Sequence, residues 1–313
     1  MAAGLAALIL IVRHIGAATI VGMIHRTGWW FWVVVAIYVG HTALRGLALW
    51  QTLPAGAIPL SEVMAIRFGA EGLEMLTLTG PFLAEPAKAW LLHRRGLDGP
   101  AAFGAVAAEY LLYNLTAAWL AALALSVLLG RGVLPRMLSV PAEGMLIAVT
   151  ILTAGCIVAG ITGKGMVAPI AAAITRLVAP RHTDAVDARV RRAEIVLVSV
   201  LHDDRRRLGA LLVVELAGHA LLVLEIAVVL HALGFGADAV SAFIVEGGVK
   251  CIGALFFFVP GQIGISEGVY ALLLPLIGLP AAAGVTIALV RRLRALAVGG
   301  VGFLLFARGR SDV

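Results

Sequence analysis

The sequence predicts an all-α, polytopic integral membrane protein. Of its 313 residues, 61% are hydrophobic and 13% are charged, whereas soluble domains carry about 25% charged residues. The mean hydropathy is +1.02, and several apolar runs reach the roughly 20 residues that a helix needs to cross a bilayer. This composition excludes a disordered chain, a disulfide scaffold and a water-soluble enzyme.

Five apolar runs are predicted to span the membrane, namely residues 29–50, 101–129, 143–161, 208–233 and 280–306. Residues 2–24 carry Arg13 and His14 in mid-run, so the sequence leaves open whether this segment crosses the membrane or lies on it. It lacks a basic start and a small-residue cleavage site, so we expect a retained helix rather than a signal peptide. Two more apolar regions, 62–92 and 239–279, are interrupted by Gly and Pro.

Basic residues predict the orientation. The longest polar connection, residues 162–207, holds nine Lys and Arg side chains, and the positive-inside rule places it in the cytoplasm. Within it, residues 167–178 have apolar positions at helical spacing and are predicted to lie on the membrane surface. The same topology places residues 93–95 and the C-terminal tail, 308–313, in the cytoplasm.

This topology requires each interrupted region to enter and leave the membrane on one side. Region 62–92 is then a re-entrant hairpin open to the cytoplasm, and region 239–279 is one open to the outside. A constant shift along the chain that aligns Pro81 with Pro260 supports an inverted repeat, although chance alignment is the competing explanation. The same shift superimposes three ionisable positions with opposite charges: Arg67 with Glu246, Glu71 with Lys250, and Lys88 with Glu267.

The predicted organisation is a single transmembrane domain over residues 1–313. Its first half covers residues 29–129 and its second half covers residues 208–306. Residues 143–207 form the linking span and the basic connection. Interrupted helices at matching places of inverted repeats mark the binding region of transporters.

Buried glutamates are the main candidates for function. All seven aspartates lie in loops or tails, but eight of the eleven glutamates lie within apolar segments: Glu71, Glu74, Glu85, Glu109, Glu215, Glu225, Glu246 and Glu267. An ionisable side chain at membrane depth is costly unless it is paired or lines water, so each is a functional hypothesis.

Two pairs of opposite charges are spaced four residues apart. Arg67 and Glu71, and likewise Glu246 and Lys250, are predicted to form ion pairs within one helix. The pairs either face a shared interior or only neutralise each other for insertion.

Each interrupted region contains a Gly/Pro-rich break, at residues 79–88 and 260–268. The helix-breaking residues are Pro81, Pro260, Gly261 and Gly264. Non-helical backbone at membrane depth is tolerated only inside protein or beside a water-filled cavity. The helix after each break directs free N–H groups into that cavity, where an anionic headgroup phosphate would fit.

Four charged residues lie beside the breaks. Lys88 and Lys250 are two of only three lysines in the chain, which favours a functional role. Glu85 and Glu267 stand near the helix starts, so they either line the site or cap the helices.

Two further polar groups lie on predicted spans. Glu109, Tyr110, Tyr113 and Asn114 share one side of the 101–129 span, either as part of the site or as a seam that holds helices together. Arg291, Arg292 and Arg294 form a basic cluster that needs carboxylates, for which Glu215 and Glu225 are candidates, with His219 between them. This cluster either binds phosphate or is structural.

The sequence predicts no cofactor and no metal. Cys156 and Cys251 lie in apolar segments and indicate no disulfide, and the eight histidines lack metal-ligand spacing. His202, Asp203 and Asp204 are more consistent with a solvated helix end than with a metal site. The net charge of +6 is explained by the cytoplasmic loops and indicates no nucleic-acid partner.

Two motifs resemble the transmembrane flippase-like domain of the lysylphosphatidylglycerol synthase/flippase family. They are the run from Arg67 through Glu74, Pro81 and Glu85 to the segment 85–96, and the segment 260–268. The resemblance covers residues 29–306, and the family includes stand-alone members linked to hopanoid metabolism. The family's first motif has Asn, Gly and Arg where this chain has Glu74, Ala84 and Lys88, which alters the expected headgroup preference.

The resemblance implies lipid translocation without lipid synthesis. We therefore expect a protein that moves a phospholipid or another amphipathic lipid between the leaflets of a bacterial inner membrane. Arg67, Lys88 and Lys250 would shelter the headgroup while the apolar tails stay in the bilayer. Four carboxylates would balance this charge: Glu71, Glu85, Glu246 and Glu267. Their protonation would couple transport to a proton gradient.

Three alternatives remain at this point. One is a membrane-embedded transferase that uses Glu85 or Glu267 as a base on a lipid-linked substrate. The others are a hopanoid or polyprenyl lipid transporter and an assembly partner for lipid-modifying enzymes. The sequence leaves open the lipid, the direction, the energy source and whether the chain forms a homo-oligomer.

Overall fold

The computed structural model describes residues 17–76, 81–131, 136–163, 165, 190–191, 194–195, 198–200, 202, 204–236, 238–255 and 264–308. Regular structure in these residues is entirely helical, as predicted. The helices are α1 (Ala17–Thr27), α2 (Trp30–Thr52), α3 (Leu60–Leu76), α4 (Pro81–Arg94), α5 (Gly99–Gly130), α6 (Arg136–Thr162), α7 (Arg205–Ala232), α8 (Ala239–Leu255), α9 (Ile265–Leu276) and α10 (Ala281–Arg308).

Three helices among the described residues are long and apolar enough to cross a membrane. They are α2, α5 and α7, which match the predicted spans 29–50, 101–129 and 208–233. The predicted span 143–161 falls within α6, and the predicted span 280–306 corresponds to α10, which begins one residue later and also carries the three clustered arginines. Residues 2–16 and the predicted surface helix 167–178 lie outside the described residues.

The two interrupted regions each form a pair of helices. Region 62–92 forms α3 and α4, and region 239–279 forms α8 and α9. The shift that aligns Pro81 with Pro260 also superimposes the first residues of α3 and α8, and it superimposes their last residues. The predicted breaks, 79–88 and 260–268, are shorter than expected where the structure describes them, because residues 81–88 are helical in α4 and residues 265–268 are helical in α9. Residues 77–80 and 256–263, which include Pro260 and Gly261, lie outside the described part of the chain.

The two largest apolar clusters among the described residues lie at different ends of α2. The 49–106 core joins the end of α2, the start of α3, the end of α4 and the start of α5 through Leu49, Leu53, Ile58, Val63, Ile66, Ala89, Leu92, Leu97, Ala102, Ala105 and Val106. The 226–290 core joins the start of α2, the end of α7, the start of α8, the end of α9 and the start of α10 through Val34, Ile226, Leu230, Ala242, Val245, Tyr270, Leu274, Ala283 and Ile287. Because α2 contributes its two ends to different cores, α3 and α4 meet at one end of the bundle, and α8 and α9 meet at the other.

Polar contacts at the helix ends reinforce this arrangement. The Asp204 carboxylate accepts the backbone N–H groups of Arg206 and Arg207 and caps the start of α7. The Arg207 guanidinium donates to the carbonyl oxygens of Gln51 and Leu53 and thereby ties α7 to the end of α2. The exposed position of Asp204 agrees with the solvated helix end that the sequence indicates.

Glycine lets several helices approach closely, as two pairs illustrate. A Cβ atom on Gly302 of α10 would overlap the Phe68 carbonyl group of α3, and one on Gly247 of α8 would overlap the Ala124 side chain of α5. Small residues at such crossings are typical of helix packing in membranes. The α3–α10 and α5–α8 contacts therefore depend on the absence of a side chain.

We expect Gly302→Ala to destabilise the protein and Gly300→Ala to leave it unchanged or slightly more stable. Alanine normally favours a helix over glycine by about 0.5–1 kcal/mol, and a Cβ on Gly300 meets nothing within 4 Å. At Gly302 the added methyl overlaps backbone, which costs about 1–3 kcal/mol. Thermal loss of the monodisperse peak in size-exclusion chromatography measures the difference, and equal stability of the two variants would contradict this packing.

Candidate functional site: a charged central cavity

A cavity of ≈ 480 Å³ lies between α2, α3, α4, α5, α7, α8 and α10. Nine charged side chains line it: Arg45, Arg67, Lys250, Arg291, Arg294, Glu71, Glu74, Glu85 and Glu246. Tyr38, His41, Tyr110, Tyr113 and Asn114 add further polar groups. A polar cavity of this size inside an apolar helical bundle is typical of a binding site.

The two ion pairs predicted within helices are present, and both face the cavity. The Arg67 Nη2 atom lies 2.8 Å from Glu71 Oε2 on α3, and the Lys250 Nζ atom lies 3.3 Å from Glu246 Oε1 on α8. A second partner supports each carboxylate from another helix. The Tyr38 hydroxyl donates to Glu71, and Arg291 Nη1 donates to Glu246 at 2.7 Å.

Lys88 is fully buried in a cluster beside the cavity. Its Nζ atom is 2.7 Å from Glu85 Oε2 and 3.3 Å from Glu109 Oε2. Glu109 also pairs with Arg45, whose Nη2 atom is 2.6 Å from Glu109 Oε1. The sequence placed Glu109 among the site residues, and the structure places it behind the cavity wall, where it holds Arg45 and Lys88.

The arginines of α10 form ion pairs with carboxylates, as the sequence predicts. Of the two candidate partners on α7, Glu225 forms such pairs and Glu215 does not. Arg294 donates twice to Glu225, at 2.6 and 3.0 Å, and Arg291 Nε lies 3.2 Å from the same carboxylate. Within the described residues, Glu215 forms no ion pair with these arginines, and its Oε1 atom is buried without a hydrogen-bond partner. The reason is helical geometry, since Glu215 lies nearly three turns before Glu225 on α7.

Glu267 both caps a helix and forms an ion pair. Its Oε2 atom accepts the Gly264 backbone N–H at 2.8 Å, at the start of α9, and its Oε1 atom lies 2.9 Å from Arg292 Nη2. Gly264 has φ +81°, a conformation that favours glycine. Neither Glu267 nor Arg292 lines the central cavity. Pro81 begins α4, and Glu85 lies one turn further along, where its carboxylate pairs with Lys88.

Tyr113 contacts two of the cations that line the cavity. The Arg45 guanidinium carbon is 3.8 Å from the ring centroid, and the Lys250 Nζ atom is 5.3 Å from it. The Arg294 guanidinium carbon lies 3.3 Å from the Tyr38 ring centroid. Such cation–π contacts stabilise a positive charge that is removed from water. Asn114 also lines the cavity, and its side-chain amide donates to the Tyr110 carbonyl oxygen at 2.7 Å.

Arg45 and Tyr38 line the cavity but were not among the residues predicted for the site. Both lie in the predicted span 29–50, whose high overall hydropathy does not distinguish single polar residues. The signal that could have revealed Arg45 is its charge, because it is the one Lys, Arg, Asp or Glu between residues 29 and 50. An arginine inside a membrane span needs a partner.

Glu74 differs from the other carboxylates that line the cavity. Across the described ranges, no hydrogen bond or ion pair involves its side chain, and it lies at the cavity wall. A carboxylate in this position can accept a proton or a hydrogen bond from a guest. The cavity as a whole offers both cationic and anionic groups to a polar ligand.

Replacing Glu109 should be far more damaging than replacing an exposed glutamate. Glu109→Gln leaves Arg45 without its main counter-ion, and removing one partner of a buried pair costs about 3–5 kcal/mol. Glu62→Gln breaks only the exposed ion pair with Arg95, which is worth about 0–1 kcal/mol. Thermal unfolding of the purified variants measures both, and equal losses would refute a structural role for Glu109.

Comparison with known proteins gives one match that covers nearly the whole chain. No curated protein and no solved structure matches it. A family model described as the transmembrane region of lysylphosphatidylglycerol synthase matches residues 1–302. This match confirms the resemblance seen in the motifs, and it identifies the helical bundle around the charged cavity as a membrane-embedded domain. The chain belongs to the lysylphosphatidylglycerol synthase transmembrane-region family.

Proposed function

We propose that this protein moves an amphipathic lipid between the two leaflets of the bacterial inner membrane. The observation that carries the proposal is the central cavity, which presents charges of both signs within a bundle of membrane-spanning helices. A lipid headgroup crosses the hydrocarbon region only if polar partners replace its water. The lipid-related family supports the same role.

The ion-pair network explains how a headgroup can bind without leaving a buried charge unpaired. Lys250 pairs with Glu246 at 3.3 Å, while Arg291 holds the same glutamate at 2.7 Å. A headgroup phosphate can therefore take over Lys250, and Glu246 stays neutralised by Arg291. Because the lysine side chain is 15% exposed at the cavity, it can turn toward the guest.

The proposal includes an inverted repeat that relates α2–α5 to α7–α10. Helix α3 packs on α10, and its counterpart α8 packs on α5. The close contacts of these pairs involve Phe68 and Gly247, which the shift that relates α3 to α8 superimposes. Lys88 of α4 pairs with a glutamate of α5, and Glu267 of α9 pairs with an arginine of α10. The cation lies on α4 in the first half, whereas the anion lies on its counterpart α9 in the second half.

In this arrangement α3–α4 and α8–α9 are re-entrant hairpins that open to opposite sides. The end of the bundle that joins α3 and α4 carries Arg94, Arg95 and residues 205–207 and would face the cytoplasm. Exposed Trp29 and Trp32 at the other end suit the opposite membrane interface. The C-terminus would then be cytoplasmic. Rocking of one half against the other would expose the cavity to each leaflet in turn.

A proton gradient is a natural energy source for such a cavity. The sequence predicts Glu71, Glu85, Glu246 and Glu267 as proton carriers. In the structure each of these carboxylates forms an ion pair with a cationic side chain. Glu74 is the better carrier, because a proton can bind there without breaking an ion pair within the described residues. Protonation of Glu74 would change the net charge that the cavity offers to the headgroup.

We expect Lys250→Gln to lower lipid translocation about tenfold, the loss for one charge-assisted hydrogen bond of about 1.4 kcal/mol. The assay uses proteoliposomes with fluorescent lipids of several headgroups and a membrane-impermeant quencher. Arg95→Gln, which alters an exposed ion pair, is the matched control and should retain wild-type flux. If folded wild-type protein moves none of the lipids, with or without a pH gradient, the transferase or assembly-partner interpretation replaces this one.

Glu74→Gln should remove the dependence of flux on an imposed pH gradient. The amide has a similar shape but carries no titratable proton, so downhill exchange would continue while the gradient has no effect. Glu62→Gln serves as the control at an exposed site. A full response to the gradient in Glu74→Gln would exclude this residue as the proton carrier.

A further inference from the structure

A second cavity lies beside the first, on the surface between α4 and α5. It has a volume of ≈ 410 Å³ and is lined by Phe82, Pro86, Phe103, Val106 and Ala107, together with Glu85 and Tyr110. Phe82 and Phe103 are 64% and 54% exposed, so the cavity is a groove open to the surroundings of the bundle. In a membrane, those surroundings are lipid chains.

The groove and the charged cavity share a wall. Glu85 and Tyr110 line both, and they are the polar members of an otherwise apolar groove. The two spaces together therefore form one amphipathic site, polar on the inner side of these residues and apolar on the outer side. Glu85 is held at this boundary by Lys88 at 2.7 Å.

We propose that this groove holds one hydrocarbon chain of the lipid whose headgroup occupies the central cavity. The proposal rests on the translocase function and deepens it, because it names the substrate as a lipid bound by its headgroup and by one chain. The lipid enters sideways between α4 and α5, with its phosphate turned inward past Glu85 and Tyr110. The chain never leaves an apolar environment, which removes the need for a path through water.

The position of the groove also indicates which leaflet of the membrane it opens to. It lies where α4 and α5 run side by side, and the end of α4 nearest the 49–106 core carries Arg94, one of the basic residues assigned to the cytoplasm. Lateral entry at this groove therefore serves the cytoplasmic leaflet.

Photo-crosslinking tests chain binding separately from transport. The probe is phosphatidylethanolamine, and in a parallel sample phosphatidylglycerol, with a diazirine near the end of one acyl chain, reconstituted with the full-length protein. After irradiation, mass spectrometry should find several-fold more labelling in residues 82–110 than on the exposed face of α7 around Val213 and Leu224. Equal labelling of both regions with both lipids would overturn the proposal, because lipid of the surrounding bilayer that binds no groove would give the same result.

Ala107→Trp and Ala220→Trp form the matched pair of variants. Ala107 lines the groove, whereas Ala220 is exposed on α7 and lines neither cavity. Tryptophan at Ala107 should remove the excess labelling and lower flux several-fold, and tryptophan at Ala220 should change neither. Excess labelling that survives in Ala107→Trp, with the variant eluting as a monodisperse peak, contradicts the proposal.

The two claims fail separately. Groove labelling that Ala107→Trp removes, in a protein that moves no lipid, supports chain binding and overturns translocation. Lipid flux without excess groove labelling keeps translocation and overturns chain binding.

Discussion

Charges at membrane depth have to find their counter-charges within the protein, since the surrounding lipid supplies none. The carboxylates Glu109 and Glu225 meet this constraint most fully. Each is buried, and each holds two cations from other helices. The contacts of Glu109 connect α2, α4 and α5, and those of Glu225 connect α7 to α10. Helix positions around the cavity are therefore set by electrostatics as well as by the apolar cores.

The same constraint shapes the proposed function. A cavity that held cations alone would bind an anionic headgroup tightly and would be costly to empty. Here the cations are already paired, so a headgroup exchanges one ion pair for another and the two states lie closer in energy. Lys250 suits this exchange best, because its carboxylate partner keeps a second cation. Transport needs such near-equal states, since a lipid must leave as readily as it enters.

Local features of the site could be predicted from the sequence, and distant ones could not. The pairs Arg67–Glu71 and Glu246–Lys250 follow from four-residue spacing on a helix, which holds however the helices pack. The contacts of Arg45 with Glu109 and of Tyr38 with Glu71 join residues 64 and 33 positions apart. They depend on how α2 is rotated toward α5 and α3, and hydropathy does not encode this rotation. The same limit explains why Glu215 was matched to the arginines of α10, whereas it is Glu225 of α7 that pairs with Arg291 and Arg294.

The proposed translocation depends on the binding of a lipid phosphate to Lys250 inside the bundle. Solid-state NMR can measure this contact in a bilayer, because a chain with three lysines gives few ¹⁵Nζ signals and Lys250→Gln assigns the relevant one. We predict that the Lys250 ¹⁵Nζ signal is dephased by the ³¹P nucleus of a transported lipid at hydrogen-bonding distance. A Lys250 signal with no dephasing by ³¹P, in protein that is shown to move that lipid, would contradict it.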